Sequence, residues 1–308
     1  MLIHIAPTIF IESPLINMDI LLTGASGFIG GHLVTQLSQK HQLFALTRQP
    51  SRLERKGLSW ISGDLSQPDL PASLPEKIDA VVCLAQSRAY RQFPEKANDI
   101  FNVNVLGTFV LLDYARRAGA RTFIFTSTAN VYRQSSSQIN EEFDLEPRSF
   151  YASTKRMAEM LIESYAEFFN CIVLRLFTVY GPGQKEMLIP NLVERIRNGQ
   201  PLQVQGKHGF KTSPLYVDDL KRIIDKLLKR ENPTPDFQVF NVGGDEMLGI
   251  YELGIAIGAA LKLAPKFEYV KGAESLGWIA DNSKLKAALD LHSFIPFTDG
   301  IEKITERE

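Results

Sequence analysis

Three glycines spaced three residues apart follow the first apolar run of the chain and constrain its fold more than any other feature. The run 20–23 ends directly before Gly24, and a helix-like stripe of Ile29, Leu33 and Leu37 follows. Such a turn needs glycine because the backbone must bend tightly, approach a pyrophosphate closely and let helix and strand pack together. Amide groups at the start of the helix then favour the phosphates. The pattern predicts a dinucleotide-binding turn made of Gly24, Ser26, Gly27, Phe28, Ile29 and Gly30.

Short apolar runs alternate with segments of helical spacing through most of the first 180 residues. Continuously apolar runs are typical of strands that helices cover on both faces. Beyond residue 183, Gly and Pro recur and the elements shorten, with one more buried strand expected at 238–242. We therefore predict an α/β fold, a Rossmann-type doubly wound parallel sheet with a smaller interleaved C-terminal substrate-binding region. The other expected strands are 20–23, 43–46, 58–61, 80–84, 122–126 and 172–177.

The same pattern divides the chain into interleaved parts. Residues 18–177 with about 215–245 are expected to form the dinucleotide-binding domain, and residues 178–214 with 246–308 the substrate-binding region. Residues 1–17 are an N-terminal extension that lacks the basic start and small-residue cleavage site of a signal peptide. Met18 directly precedes the first strand and is a candidate start. A cytoplasmic location is the default expectation.

Composition excludes several classes of partner. The formal net charge is -1, so electrostatics give no reason to expect binding to nucleic acid or to an anionic membrane. No apolar stretch approaches the roughly 20 residues that span a bilayer. Cys83 and Cys171 lie inside apolar runs, which favours core packing over a disulfide. The five histidines are scattered, and no metal site is predicted.

The end of the second predicted strand bears on the type of cofactor. Enzymes that bind NAD usually carry an acid here, whereas those that bind NADP carry an arginine for the 2′-phosphate. This chain has Thr47, Arg48 and Arg52 here and no carboxylate, so NADP is the preferred expectation and NAD the alternative. Asp64 and Leu65 follow the third strand, where an adenine contact is expected.

Tyr151 and Lys155 are four residues apart, which places both side chains on one face of a helix. A phenol with a pKa of about 10 is a poor base at neutral pH, and a neighbouring ammonium would lower that pKa. Tyr151 could then exchange a proton while a nicotinamide exchanges hydride. Thr128, at the end of the fifth strand, offers a hydroxyl that could orient the reacting oxygen.

Taken together, these motifs resemble the extended short-chain dehydrogenase/reductase family, the NAD(P)-dependent nucleotide-sugar epimerase/dehydratase group. The resemblance covers about residues 18–300. Further motifs that carry it are 102–108 (Asn-Val-Asn-Val-Leu-Gly-Thr), 179–183 (Val-Tyr-Gly-Pro-Gly), 216–219 (Tyr-Val-Asp-Asp) and 240–244 (Phe-Asn-Val-Gly-Gly).

The resemblance implies roles for individual residues. Thr128 takes the place of the catalytic hydroxyl, Tyr151 that of the acid/base and Lys155 that of the assisting cation. It also implies a nucleotide-sugar substrate and, often, a homodimer formed through a four-helix bundle. The implied further cofactor contacts are Leu84, Ala85, Gln86, Asn104, Thr126, Phe177 and Val179. Substrate contacts are expected at Ser87, Arg88 and Tyr90 after the fourth strand, at Leu188, and at Thr178 and Thr212, which stand where the family usually has Asn and Arg.

Departures from the family pattern narrow the reaction. The dehydratases of the family place an Asp-Glu pair directly after the catalytic Thr, whereas this chain has Ala129 and Asn130. This favours 4-epimerisation through a transient ketone, or reduction of a keto or aldehyde group, over 4,6-dehydration. An epimerase would retain NAD, and a reductase would exchange NADPH. A third alternative is a non-catalytic NADP-binding regulator.

Overall fold

The structure is a computed structural model that describes residues 17–51, 54–230, 233–272 and 276–305. Its strands are β1 (Asp19–Thr23), β2 (Gln42–Thr47), β3 (Leu58–Ser62), β4 (Ala80–Cys83), β5 (Thr122–Thr128), β6 (Asn170–Leu176), β7 (Thr178–Tyr180), β8 (Leu202–Gln205), β9 (Lys211–Thr212), β10 (Pro214–Tyr216), β11 (Asp236–Val242), β12 (Leu248–Gly249) and β13 (Phe267–Val270). Its helices are α1 (Phe28–Leu37), α2 (Ala97–Phe101), α3 (Gly107–Arg117), α4 (Phe150–Glu163), α5 (Leu188–Arg197), α6 (Val217–Leu228), α7 (Ile250–Leu261), α8 (Ser283–Leu289) and α9 (Phe297–Thr305). A π-helical segment, Asn102–Leu106, joins α2 to α3.

A seven-stranded parallel sheet lies at the centre, in the order β11-β6-β5-β4-β1-β2-β3. All seven strands predicted from apolar runs belong to it, and the predicted fold class is confirmed. The bounds differ by one or two residues at several ends. The largest difference at the site is in β5, which continues to Thr128 and so brings this hydroxyl to the carboxyl edge of the sheet.

Helices cover the sheet on both faces because successive strand residues point to opposite sides. In β1, Ile20 and Leu22 pack with side chains of α1, α6 and α8. Leu21, between them, packs with α3 and α4 on the other face. This alternation of buried residues explains why the strands read as continuously apolar runs.

The chain leaves β3 at one edge of the sheet and returns to form β4 on the other side of β1. A crevice is expected where the strand order reverses in this way, outside the carboxyl ends of the strands. Gly24 follows β1 at this crevice, Leu84 follows β4, and Thr128 ends β5. The three segments predicted to hold cofactor and substrate therefore meet at one edge.

The C-terminal part contains short strands in pairs, β7 with β10, β8 with β13 and β9 with β12. A separate core forms where α5, α7 and α9 pack around Tyr180 and Tyr216. The two parts interleave because β10 leads directly into α6, and β11 then returns to the central sheet. The domain bounds expected from the sequence stay a prediction.

Two features of the sequence have clear positions in the fold. Cys83 and Cys171 are buried free thiols in β4 and β6, as their apolar surroundings predicted. Phe101 and Phe109 stand eight residues apart, at helical spacing, but both are exposed and do not face the sheet. Within the part of the chain that the structure describes, no helix combines the length and apolar character needed to cross a membrane.

Candidate active site

The glycine turn has the close approaches that a dinucleotide site requires. Gly24 has a φ of +70°, and a Cβ atom there would lie 2.9 Å from the backbone nitrogen of Ala85. A Cβ on Gly30 would lie 2.1 Å from the carbonyl oxygen of Gly24. Gly27 caps α1, and its amide donates to the Gly24 oxygen over 2.9 Å. The first amides of α1 lie beyond this cap, which fits a pyrophosphate.

A cavity of about 650 Å³ adjoins the outer side of this turn. It lies between α1 and the loop after β7. His32 of α1 contacts that loop, with its Nε2 atom 3.0 Å from the Pro182 oxygen. Its lining includes Ser26, Gly27 and Phe28 but none of the predicted catalytic residues. We therefore place the chemistry at the strand ends and not in this cavity.

The residues predicted to select the cofactor lie at the end of β2. The hydroxyls of Ser26 and Thr47 are 3.1 Å apart, which ties the glycine turn to this strand end. Arg48 is exposed, and Arg52 lies outside the described residues. The carboxylate of Asp64 accepts a hydrogen bond from the Ser66 amide over 3.0 Å, so it shapes the turn after β3. Leu65, the next residue, is buried.

Hydrogen bonds hold the ends of β1, β4 and β5 together. The amide of Ala85, next to Leu84, donates to the Thr23 hydroxyl over 3.2 Å. The hydroxyl of Thr126 donates to the Cys83 oxygen over 3.3 Å. The cofactor contact predicted for Thr126 stays a prediction, and its hydroxyl is bonded within the sheet.

Asn104, a predicted cofactor contact, has side-chain partners within the chain. Its side chain is buried, accepts from the Ser87 amide and donates to the Thr154 hydroxyl, each over 3.0 Å. Thr154 in turn donates to the Tyr151 oxygen over 2.8 Å. Ser87, a predicted substrate contact, is itself buried and donates to Asp99. Asn104 therefore holds the loop after β4 against α4. Its side-chain oxygen is bonded to that loop and its side-chain nitrogen to the helix.

Thr128 and Tyr151 meet at the carboxyl edge of the sheet. The Thr128 hydroxyl lies near enough to the Tyr151 phenol to lower its pKa, and its oxygen accepts from the Asn130 amide over 3.2 Å. Tyr151 lies in the first turn of α4, where Ser149 caps the helix, and its phenol donates to Gln86 over 2.9 Å. The predicted cofactor contact Gln86 and the predicted catalytic hydroxyls thus lie together.

Lys155 lies one turn after Tyr151 and is only 1% exposed. Its ammonium sits 4.1 Å from the centre of the Phe125 ring, a cation–π contact. Burial lowers the pKa of Lys155 to about 8, against the opposing influence of Cys83 and Glu159. At neutral pH this lysine is therefore a buried cation.

The sequence predicted that Lys155 would lower the pKa of Tyr151, and the structure contradicts this. Burial raises the pKa of the Tyr151 phenol above its ordinary value; the hydrogen bond with Thr128 opposes that rise, and the neighbouring Tyr90 adds to it. Helical spacing alone gave the expectation, but Lys155 points to Phe125. In this conformation the phenol therefore keeps its proton near neutral pH.

The predicted substrate contacts lie along β7, β9 and the neighbouring loops. The hydroxyls of Thr178 and Thr212 are 2.6 Å apart and join β7 to β9. Phe177 and Val179 flank Thr178, while Leu188 begins α5 and Arg88 is exposed on the loop after β4.

Near the site lie Tyr90, which the sequence offers as a candidate substrate contact after the fourth strand, and an ion pair that was not predicted from the sequence. Tyr90 packs against Tyr151 with ring centres 5.1 Å apart, and its hydroxyl donates to the Met187 sulfur over 3.4 Å. Glu159 and Arg175 form a buried ion pair behind the site, 2.8 Å apart. Arg175 interrupts the apolar run of β6, a signal that could have identified it. The position of Tyr90, by contrast, depends on a loop whose path no pattern indicates.

The chain is similar to known proteins in sequence and in fold. An uncharacterized UDP-glucose epimerase of Bacillus subtilis, YtcB, is 29% identical, with 92% of this chain and 96% of that protein covered. The UDP-glucuronic acid 4-epimerase of Bacillus cereus, solved with UDP-glucuronic acid and NAD, is 26% identical with a TM-score of 0.82, and 94% of this chain and 98% of that one are covered. MoeE5, solved with UDP-glucuronic acid and NAD, is 27% identical with a TM-score of 0.77 over 94% and 98% of the two chains. Because the family model matches residues 20–243, this chain belongs to the NAD dependent epimerase/dehydratase family.

Proposed function

We propose that this chain is an NAD-dependent 4-epimerase of a UDP-linked hexose or hexuronate. The observation that carries the proposal is the meeting of the Thr128 and Tyr151 hydroxyls at the sheet edge that also bears the glycine turn. The relatives support the substrate class, since the Bacillus cereus enzyme binds UDP-glucuronic acid together with NAD. A cytoplasmic location, expected by default from the sequence, is part of the proposal.

Several residues fit the cofactor by their geometry. The backbone of the glycine turn would hold the pyrophosphate, because a side chain at Gly24 or Gly30 would collide with backbone atoms. The end of β2, with Thr47 and Arg48, would face the adenosine ribose. A bound nicotinamide supplies reversible hydride exchange at a carbinol carbon.

The chain's own part in the reaction is to hold and move a proton. Tyr151 would exchange the proton of the sugar's 4-hydroxyl, and Thr128 would orient the same oxygen through its own hydroxyl. Gln86 accepts from the phenol and so fixes its direction. Lys155 contributes a buried positive charge one helical turn away. Because the phenol is protonated in this conformation, it must release this proton before it can accept that of the 4-hydroxyl. It would then return the accepted proton to the substrate oxygen when the ketone is reduced.

The turn after Thr128 supports epimerisation over dehydration. Removal of water from a sugar needs an additional acid and base. The residues at that turn are Ala129, which is buried, and Asn130, whose amide is bonded to Thr128. Neither side chain can donate and accept a proton near neutral pH. The site therefore offers redox chemistry at the carbinol carbon without an elimination step.

The second candidate is a reductase that exchanges NADPH. One observation favours it: Arg48 is exposed at the end of β2, and the segment 47–51 contains no carboxylate. The preference for NADP drawn from this arginine finds no support among the structural neighbours, whose complexes contain NAD. We therefore infer NAD as the cofactor.

The test begins with nucleotide released by heat from the purified protein, identified by mass spectrometry. We expect about one NAD per chain. The protein is then incubated with UDP-glucose and, separately, UDP-glucuronic acid, and the 4-epimers are quantified by NMR. Tyr151→Phe should lower turnover by about 10²- to 10⁴-fold with NAD content unchanged, because only the proton-transferring hydroxyl is lost.

Tyr165→Phe is the matched control, because this tyrosine follows α4 and lies outside the site. Its turnover should equal that of the wild type. An empty protein that binds NADPH more tightly than NADH and reduces ketones would establish the reductase instead. Wild-type turnover in Tyr151→Phe would overturn the assigned chemistry altogether.

We also propose that the chain forms a homodimer through α3 and α4. These helices pack against each other and expose apolar side chains where most surface residues are polar. Phe109 is 45% exposed and Met160 is 55% exposed. Two such pairs from two chains would give the four-helix bundle that the family resemblance implies. The remaining exposed apolar residues on or beside these helices are Phe101, Met157 and Phe168.

Sedimentation analysis of Phe109→Glu and Met160→Glu tests this surface. Each charge should convert a dimer into a monomer, because burying an unpaired carboxylate in an apolar interface is costly. Ile255→Glu, at an exposed apolar position on α7, is the control and should leave the dimer intact. Dimers that persist in both α3 and α4 variants would place the interface elsewhere.

A further inference from the structure

A buried ion pair lies directly behind the residues proposed to act on the substrate. Glu159 is 0% and Arg175 is 3% exposed. The guanidinium holds the carboxylate at two points, 2.8 Å from Nη2 and 3.1 Å from Nε. Arg156 adds a third contact to the same carboxylate over 3.1 Å. Both carboxylate oxygens are therefore engaged without solvent.

The pair reaches the chain on both sides of Thr128. The hydroxyl of Ser127, the residue before it, donates to Glu159. Arg175 donates over 2.7 Å to the hydroxyl of Tyr132, four residues after Thr128. The strand end that carries Thr128 is thus attached to the ion pair at two points.

The pair also belongs to the helix that carries the other two residues. Glu159 lies on α4 one turn after Lys155 and two turns after Tyr151, on the same face. Tyr132 extends the network into the sheet, since its hydroxyl donates to Asn241 of β11 over 2.8 Å. One carboxylate therefore connects α4 with the strand end and, through Arg175, with β6 and β11.

Stability alone is a weak reason for such an arrangement. The desolvation of two buried charges commonly offsets their attraction, and apolar residues of similar volume often serve as well. Apolar side chains, however, lack directional hydrogen bonds, and so they could not fix the position of the strand end relative to the helix. A displacement of about 1 Å between reacting groups can cost about 100-fold in rate.

We propose that Glu159 is a positioning residue that holds the Ser127–Thr128 strand end and α4 in register, so that the Thr128 and Tyr151 hydroxyls meet one substrate oxygen. The inference rests on the proposed function, since it concerns the same two hydroxyls. Glu159 touches neither substrate nor cofactor in this role. It acts through Ser127 on one side and through its own helix on the other.

The charge of Glu159 has a second consequence, at Lys155. The titratable groups that act on this ammonium are Cys83 from β4 and Glu159 from α4, while Phe125 of β5 offers only its ring. Glu159 raises the pKa of Lys155 and so opposes the effect of burial. Removing the negative charge would therefore make Lys155 lose its proton at lower pH. This shift depends on the charge of Glu159 and not on its hydrogen bonds.

The test uses Ser127→Ala and Glu159→Gln in the full chain with its NAD, with 4-epimerisation as the assay. We expect kcat to fall at least tenfold in both, with the KM for the UDP-sugar and the NAD content unchanged within twofold. In Glu159→Gln the basic limb of the pH–rate profile should also move to lower pH. Ser127→Thr keeps the hydroxyl and should restore kcat.

Asp219→Asn is the matched control, because Asp219 is a buried carboxylate with an arginine partner, Arg222, on α6. It should lose stability but keep both kcat and the pH profile. Ser127→Ala removes a single hydrogen bond, so it serves if Glu159→Gln does not fold.

The outcomes separate this inference from the proposed function. Full activity in Tyr151→Phe would remove the proposed function and with it the role of Glu159. An inactive Tyr151→Phe beside Ser127→Ala and Glu159→Gln of wild-type kcat would overturn the positioning role alone. If Asp219→Asn lowered kcat to the same extent, the positioning role of Glu159 would also be overturned, because the loss of any buried carboxylate would then have the same effect.

Discussion

The central sheet and the C-terminal region meet in one crevice but are built in different ways. Strands of the sheet are four to seven residues long and are covered on both faces. Strands of the C-terminal region are two to four residues long and occur only as pairs in the part of the chain that the structure describes. We propose that the two regions have different tasks. The central sheet and its helices, here called the frame, would hold the cofactor and the catalytic groups, and the short elements of the C-terminal region would contact the substrate.

This division predicts that substitutions in the frame remove cofactor binding, whereas those in the C-terminal region raise the KM for substrate. Gly30→Ala should have the largest effect. Its Cβ would lie 2.1 Å from the Gly24 oxygen and 2.7 Å from the Ala25 Cα, and neither backbone atom can move freely. We expect a loss of about 3 kcal/mol in unfolding free energy. NAD affinity should fall by about 100-fold, measured by calorimetry.

Gly31→Ala is the adjacent control. Nothing lies within 4 Å of a Cβ there, and the position is inside α1. Alanine in a helix interior is favoured over glycine by about 0.5–1 kcal/mol, so this variant should be at least as stable as the wild type. Equal behaviour of the two variants would show that close packing at the turn is unimportant.

The second prediction concerns the buried charge that the frame carries at Lys155. Its pKa falls from 10.5 to about 8 on folding, so between these pH values the unfolded chain binds more protons than the folded one. Stability relative to Lys155→Met should therefore rise from about pH 8 to pH 10.5, by about 3 kcal/mol in total. Urea unfolding at each pH gives this difference, and a flat difference across that range would contradict the buried position.

The third prediction is the counterpart of the first in the C-terminal region. A Cβ on Gly277 would lie 1.9 Å from the Lys211 oxygen, where the chain also exchanges backbone hydrogen bonds with Ser135. Gly277→Ala should cost about 2 kcal/mol of stability. It should raise the KM for the UDP-sugar while leaving NAD content unchanged.

Gly272→Ala is the control for this prediction, because the nearest atoms to its Cβ belong to the end of the Gln205 side chain, which can move. If Gly277→Ala instead released NAD and kept its KM, the two regions would not divide the tasks as described.

The smallest effect is expected where the two regions touch above Tyr151. Arg91 stacks on the Tyr90 ring at 5.0 Å and donates to the Glu186 oxygen over 3.2 Å, near the surface. An exposed contact of this kind contributes about 1 kcal/mol or less, so Arg91→Ala should change KM by at most about fivefold. Steady-state kinetics measure this, with Arg116→Ala on α3 as the control. A larger change in kcat than in KM would assign Arg91 a direct part in the reaction.

Local patterns predicted the frame well because each of its strands is an apolar run that must be buried. The glycine turn could also be predicted, because a side chain at Gly24 or Gly30 would collide with backbone atoms. Thr128 and Tyr151 could be paired from the family resemblance, and the structure brings their hydroxyls together. Spacing failed for Lys155, because its position on the helix face does not say which neighbour the long side chain reaches.

The amino-acid sequence by itself therefore dictated the sheet, the glycine turn and the face of α4 that bears Tyr151, because burial of apolar residues and helical periodicity are local properties. It could not indicate that Asn104 joins Ser87 to Thr154, that Tyr90 packs against Tyr151 or that Glu159 joins Ser127 to Arg175. These contacts bring together residues far apart in the chain. Their partners, and the burial that shifts each pKa, exist only once sheet, helix and loop have packed around one crevice.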